Sequence, residues 1–265
     1  MTTNSDYFAI DAISATIIKA GAKSMLHMRY AATHTREATP AMRWGSLVHL
    51  AILEPERAAT GLHVVDCSSK RVKAWTEAVA EYGSDNVVTA AEMGELDEIV
   101  SALYRNKLAA ELIESTQHEV PLEWYHDAYG NAKSKLDGLD ASVGIVEVKT
   151  TASIVPRDFQ RTMMQMGYPL QLGWYRHGVE MTTGQRLPVH AITVEQKPPH
   201  DVVVYPVSDA LLDAGQEQAI DIATRYRQCC ESGVWPGLQT GTEVLELPDW
   251  ANSVPEIDLS GIEEM

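Results

Sequence analysis

The sequence predicts an α+β fold in which strands gathered in the middle of the chain are flanked by helices. Three observations predict it. Up to Leu112, apolar residues recur mostly at helical spacing. From Glu119 to Thr150 they alternate in the strand manner, with short turns between. Beyond Ile154 the helical period returns, interrupted by one further strand pair.

Each element has its own justification. Ile13 to Tyr30 predicts a helix, with Ser14 suited to the N-cap and Ile17, Ile18, Met25 and Met28 at helical spacing. The polar stretch Thr33 to Pro40 ends it. Ala41 to Leu53 predicts a second helix, closed by Glu54-Pro55 because a residue before proline is pushed out of the α region. Leu62 to Asp66 is a short strand candidate. Ala90 to Leu112 is helical, with Met93, Leu96, Ile99, Val100, Leu103 and Leu108 on one face.

Glu119 to Tyr125 then alternates, placing Val120, Leu122 and Trp124 together. A turn at Asp127–Asn131 leads to a strand from Ala132 to Leu139. A second turn, Asp140 to Gly144, leads to a strand from Ile145 to Thr150, completing an antiparallel meander. Ile154 to Val179 is mainly helical, with Pro169 the candidate break and Met163, Met164 and Met166 read as helix core. Val189–Glu195 and Val202–Val207 form a strand pair, and Ala210–Cys230 an amphipathic helix.

The 265 residues are 45% hydrophobic and 22% charged, enough for a sizeable core. No apolar run approaches the roughly 18 residues of a membrane span, and the opening MTTNSDYFAIDAIS has no basic region followed by an apolar one. The expectation is a cytoplasmic protein without a membrane partner. Cys67, Cys229 and Cys230 make a poor disulfide framework and fall short of an iron–sulfur ligand set, so reduced thiols are expected. No zinc-type histidine spacing and no phosphate-binding Gly-rich loop is present.

The net charge of −16 at first argues against nucleic acid. Its distribution softens that conclusion. From Asp201 onward, thirteen acidic residues face two basic ones, so this tail carries −11 and residues 1–200 only −5. The tail is expected to be solvated surface. Local potential in the rest of the chain decides whether phosphates bind.

The chemistry concentrates in Lys135-Leu136-Asp137-Gly138 and Ile145-Val146-Glu147-Val148-Lys149. A tight turn brings Asp137 beside the Glu147/Lys149 pair, and strand alternation sets Glu147 and Lys149 on one face. Two carboxylates supply hard oxygen ligands for Mg²⁺, and the Val148 carbonyl could be a further ligand. The lysine can orient a water or stabilise charge growing on phosphorus. A structural salt bridge is the alternative. The apolar residues Ile145, Val146 and Val148 favour a functional role, because buried charges need a partner or a purpose.

These residues resemble the PD-(D/E)XK nuclease superfamily, and more specifically its exodeoxyribonuclease VIII (RecE-type) branch of phages and prophages. The resemblance covers most of the chain. It rests on Ile13-Ser14-Ala15 and Lys23–Tyr30 near the start; on Gly45-Ser46-Leu47-Val48-His49 with Leu53-Glu54-Pro55-Glu56; and on Glu147-Val148-Lys149-Thr150-Thr151. It continues through Gly167-Tyr168-Pro169-Leu170-Gln171 with Tyr175, although the branch usually shows His at Pro169, and through Ser232–Gly237 and Leu247-Pro248-Asp249-Trp250.

The resemblance implies a restriction-endonuclease-like core, a central mixed β-sheet flanked by helices, in one domain over residues 1–265. Residues 1–115 would be a mainly helical part carrying His49, residues 116–208 the catalytic sheet and helix, and residues 209–265 a helix and acidic tail. It implies His49, Asp137, Glu147 and the Val148 carbonyl as ligands of Mg²⁺ or Mn²⁺. Lys149 would position the attacking water, while Gln171 and Tyr175, at i and i+4, would lie against the active site. Glu119 is a weaker candidate for a metal or water contact.

The activity implied is hydrolysis of DNA phosphodiester bonds, most specifically 5′-to-3′ exonuclease action on double-stranded ends. The implied partners are a single-strand-annealing recombinase and further copies of the chain in a ring. The alternatives are another PD-(D/E)XK nuclease, of the CRISPR- or helicase-associated kind, and a non-cutting DNA-binding protein of the same fold. The three cysteines cannot supply the four-cysteine cluster frequent in the former.

Overall fold

A computed structural model describes residues 7, 9–34 and 37–238, with positions 241, 242, 244 and 246. The Leu247–Trp250 motif and most of the acidic tail lie outside the described residues.

Five strands form the central sheet: β3 (Gln117–His126), β4 (Gly130–Asp140), β5 (Gly144–Thr151), β6 (Val189–Glu195) and β7 (Val202–Val207), side by side in that order. The meander β3-β4-β5 is antiparallel, β5 and β6 run parallel, and β6 and β7 are antiparallel. The sheet is therefore mixed, as the fold class requires. A parallel pair needs a crossover, and helices α8 (Pro156–Gln165) and α9 (Tyr168–Thr183) supply it. Both faces of the sheet are covered. On one, Val146, Val148, Ile192 and Val194 meet α3 (Pro40–Leu53), α6 (Ala90–Arg105) and α7 (Lys107–Glu114). On the other, Leu136, Ile145 and Val189 meet Phe159, Met163, Leu172 and Val179 of α8 and α9.

The sequence reading needs local corrections. The first helix is two, α1 (Ala15–Gly21) and α2 (Met25–Thr33), because Ser24 turns extended and caps α2 by accepting from His27 N at 3.2 Å. The long helix before the sheet also divides, at Asn106, whose side chain caps α7 through Ala109 N at 3.1 Å. The break in the helix after β5 falls at Met166–Gly167 rather than at Pro169. Gly167 adopts φ 66°, the left-handed region that glycine tolerates, and Pro169 sits in the first turn of α9, where its missing N–H costs nothing. Met163 is core, but Met164 and Met166 are 66% and 56% exposed, so two of the three methionines face solvent.

Three elements carry too weak a period to be read in advance: α4 (Pro55–Gly61), α5 (Lys73–Tyr82) and β2 (Val87–Thr89). The last pairs in parallel with β1 (His63–Val65) in a separate two-stranded sheet.

The final helix, α10 (Asp209–Ser232), contains part of the acidic excess. Asp209 and Asp213 lie at the surface, with side chains 83% and 52% exposed. They pair with the guanidinium of Arg176 on α9, which is fully buried. Trp235 and Pro236 beyond α10 return to α2: Arg29 lies over the Trp235 ring at 5.2 Å, and Leu26 N donates to Pro236 O at 3.0 Å. The three cysteines are free thiols, and no helix among the described residues is long and apolar enough to cross a membrane.

Helices α9 and α10 touch backbone to backbone through Gly173 and Gly215. A Cβ at Gly173 would lie 2.2 Å from Gln216 N, and one at Gly215 2.0 Å from Pro169 O. Gly173→Ala is therefore expected to force the helices apart and cost about 1–3 kcal/mol of stability, read from denaturant unfolding. An unchanged midpoint would show that the contact has slack.

Candidate active site

The site lies where the sheet forks. β4 pairs with β5 only from Gly138↔Val146 to Asp140↔Gly144. Further back along β4, the edge facing away from β3 is taken by Ile13, which bridges Ala132 with Ile13 N to Asn131 O at 3.0 Å and Lys133 N to Ile13 O at 2.9 Å. Between Lys133 and Gly138 that edge of β4 has no ladder partner among the described residues. Asp137 occupies the gap, and its Oδ2 accepts from Val148 N at 2.8 Å. A side chain thus replaces the ladder bond where the strands part.

The β3 side is also irregular there. Pairing runs through His118↔Gly138 and resumes at Val120↔Leu136, skipping Glu119. Glu119 has φ 55°, a strained value for a residue with a side chain. His49, Glu119 and Asp137 each offer a ligand atom, and these lie within 4.8 Å of one another. Among the described residues it is the one such group. Lys135 pairs with the Glu119 carboxylate. His49 comes from α3. Its Nε2 lies 2.9 Å from Val148 O and its Nδ1 3.4 Å from Asp137 Oδ1.

On β5, Glu147 is 2% exposed. Its Oε1 accepts from Lys149 Nζ and, at 2.7 Å, from Gln171 Nε2, which also lies 3.0 Å from the Tyr175 hydroxyl. Every site residue predicted from sequence is therefore gathered here: Asp137, Glu147, Lys149, His49, the Val148 carbonyl, Gln171 and Tyr175. Glu119, the weaker candidate, belongs with the His49–Asp137 group. The sequence reading missed Lys19 of α1, whose Nζ donates to Gln171 Oε1 at 2.9 Å. No local pattern marks it, since 152 residues separate the partners.

Residues 14–247 match a family described as PDDEXK-like domain of unknown function (DUF3799). The chain belongs to this PDDEXK-like family. No curated protein matches it. Among solved structures, it is similar to a "putative exonuclease" from Eubacterium rectale, with TM-score 0.68, 17% identity, and 94% of this chain and 96% of that one covered. At that identity the likeness concerns the fold. A phage-related exonuclease from Haemophilus somnus 129PT aligns at TM-score 0.36 and 11% identity, over 67% of this chain and 93% of that one.

The electrostatics of this PDDEXK-like centre suit a divalent cation. Burial, and then the neighbouring Asp137 carboxylate, push the Glu147 carboxyl up to about 7. Burial acts on Asp137 in the same direction, but His49, Lys149 and the Val148 N–H outweigh it and hold the carboxyl low. Burial lowers His49, yet Asp137 beside it raises the imidazole overall. Lys149 stays charged despite burial because Glu147 and Asp137 face it. On Lys19, burial and then the Lys149 charge outweigh the pull of Glu147 and bring the amine down to about 8.

The second oxygen of Glu147 is buried with no hydrogen-bond partner. A bare carboxylate oxygen beside another carboxylate is costly unless a cation meets it. Carboxylate, imidazole and carbonyl donors together fit Mg²⁺ or Mn²⁺.

Glu147 and His49 both have raised values in the folded chain. The stability they lend is present at low pH and lost as pH rises, through about 4.5 to 7 for Glu147 and from 6.5 upward for His49. Asp137, held low, contributes its full share above 3.8, loses it as pH falls below that value, and adds no slope above it. A cation competes with the same protons. Stabilisation by Mg²⁺, measured as a rise in Tm, should therefore be larger at pH 8 than at pH 5. An equal effect at both values would detach the cation from this cluster.

Proposed function

We propose that this chain is a metal-dependent deoxyribonuclease that hydrolyses phosphodiester bonds, acting 5′ to 3′ from the ends of double-stranded DNA. The observation that carries the reading is the fork in the sheet, which brings Asp137, Glu147 and Lys149 together and leaves Glu147 Oε2 bare, in a chain of the PDDEXK-like family. Asp137, Glu147, His49 and the Val148 carbonyl would hold Mg²⁺ or Mn²⁺, with Glu119 adjoining. When bound, the cation lowers the pKa of a water and polarises the phosphate.

The protein's own groups do the rest. Lys149, kept charged and tied to Glu147, orients that water and meets charge growing on the phosphate. Gln171 fixes Glu147, and Tyr175 supports Gln171. A groove of about 1330 Å³ reaches the site at His49, Glu119 and Tyr175, with Arg43, Arg57, Lys133 and Lys135 in its walls beside Glu54 and Asp11. Arg43 is held by Glu92, and Arg57 by Glu54. The groove is thus of mixed charge, so the bound cation would supply much of the attraction for phosphate. DNA affinity should fall steeply in EDTA and recover in Ca²⁺, a hard oxygen-seeking cation.

The resemblance to the RecE-type branch, and the exonuclease name of the similar Eubacterium rectale structure, support action at DNA ends. They also support a recombination role in which the exposed single strand passes to an annealing protein, and assembly of copies into a ring. An acidic exterior with a less acidic inner channel would suit that assembly.

End-labelled linear duplex tests the reading against a covalently closed circle. Label should be released from the 5′ end of the linear form only with Mg²⁺ or Mn²⁺, and the circle should survive. Lys149→Ala should lower the rate by about 10²–10³ or more while the variant stays folded. Wild-type rates in that variant would remove the lysine from catalysis, and equal cutting of the circle would replace end-directed action with internal cleavage. No metal-dependent cleavage of either form would reject the nuclease reading.

A further inference from the structure

Gln171 is held from both ends of its amide. Its nitrogen donates to Glu147 Oε1 at 2.7 Å and lies 3.0 Å from the Tyr175 hydroxyl, while its oxygen accepts from Lys19 Nζ at 2.9 Å. A glutamine has three rotatable bonds. Engagement at one end alone leaves the amide free to swing, and engagement at both fixes it.

The Lys19 stem is itself confined. It runs from α1 against the left-handed turn between α8 and α9, where a Cβ at Gly167 would lie 3.2 Å from its Cδ and 3.3 Å from its Cγ. Its ammonium sits 5.9 Å from the centre of the Tyr168 ring, on which Lys149 also lies, at 5.1 Å. Lys19 therefore reaches the centre by a fixed route and touches neither carboxylate. The fixed amide has one consequence for Glu147. With Gln171 and Lys149 both on Oε1, the buried Oε2 is left with no partner in the protein.

We propose that Lys19 is a positioning residue for Glu147. By anchoring the Gln171 amide, its ammonium keeps Oε1 occupied and presents Oε2 to the cation. This rests on the metal-dependent reading above and extends it to a residue of the first helix. It also makes a prediction of unusual sign. A positive charge near a cation site repels the cation, so deleting Lys19 should tighten binding if only long-range charge mattered. Loss of the anchor acts the other way.

Calorimetric titration of the full chain with Mg²⁺, without DNA, separates the two. Lys19→Met should weaken affinity by about ten- to a hundredfold, the usual range for residues that orient a ligand. Lys19→Arg, which restores a donor, should recover most of it. In the Gln171→Leu background, Lys19→Met should cause no further loss, because the two act through one contact. If Lys19→Met does not fold, Lys19→Gln, shorter and neutral, is read in its place with the same expected loss.

Affinity in Lys19→Met equal to or tighter than wild type would overturn the role of Lys19, as would a further, additive loss in the double variant. A wild-type chain that binds no divalent cation would instead overturn the proposed function and this role with it.

Discussion

Two carboxylates held out of water in one fork of the sheet set what their surroundings must be. Each buried charge costs several kcal/mol unless it is met. Asp137 is met by the Val148 N–H and by His49, and Glu147 by Lys149 and Gln171 on one oxygen only. The arrangement is complete in hydrogen bonds except at Glu147 Oε2, and it is strained at Glu119. Orphaned polar atoms and left-handed side-chain residues are both costly. Here they adjoin two buried carboxylates, whereas at His200, where the same two features also meet, no such buried pair surrounds them among the described residues.

The fold delivers these groups from separate directions. Strand β5 brings Glu147 and Lys149, β4 brings Asp137, and β3 brings Glu119. Helix α3 crosses one face and offers His49, while α9 crosses the other and offers Gln171 and Tyr175. Helix α1 reaches in with Lys19. The elements can converge because β4 and β5 pair for only three residues before parting, with Ile13 covering the edge so exposed farther along. The close passage of α9 over α10 at Gly173 and Gly215, with Arg176 clamped by Asp209 and Asp213, holds the helix that positions Gln171. Stability and site geometry share these contacts, so a change at that crossing should be felt at the centre.

Much of this was legible in the sequence, for identifiable reasons. Glu147 and Lys149 stand two apart in an apolar strand, so alternation alone sets them on one face. The Gln171–Tyr175 spacing is a single helical turn. The central strands alternate cleanly and are separated by Gly-containing turns. What escaped depends on contacts far apart in sequence or on single backbone angles. Lys19 meets Gln171 only after the chain has folded. The breaks at Ser24, Asn106 and Gly167 interrupt an unbroken apolar period through one capping side chain or one left-handed residue. Pro169 looked like the breaker but stands where a helix accepts proline. The acidic run after Asp201 suggested solvated surface, and Asp209 and Asp213 are exposed, but no local pattern showed that they also pair with a buried arginine.

The claim beneath all of this is that the fork binds one divalent cation between the strands. Anomalous diffraction from crystals soaked in Mn²⁺ at pH 8 tests it directly. The account predicts one dominant peak in the fork, bonded to the Asp137 carboxylate and to the second oxygen of Glu147. A fork without a peak, while Mn²⁺ decorates carboxylates elsewhere on the surface, would contradict it.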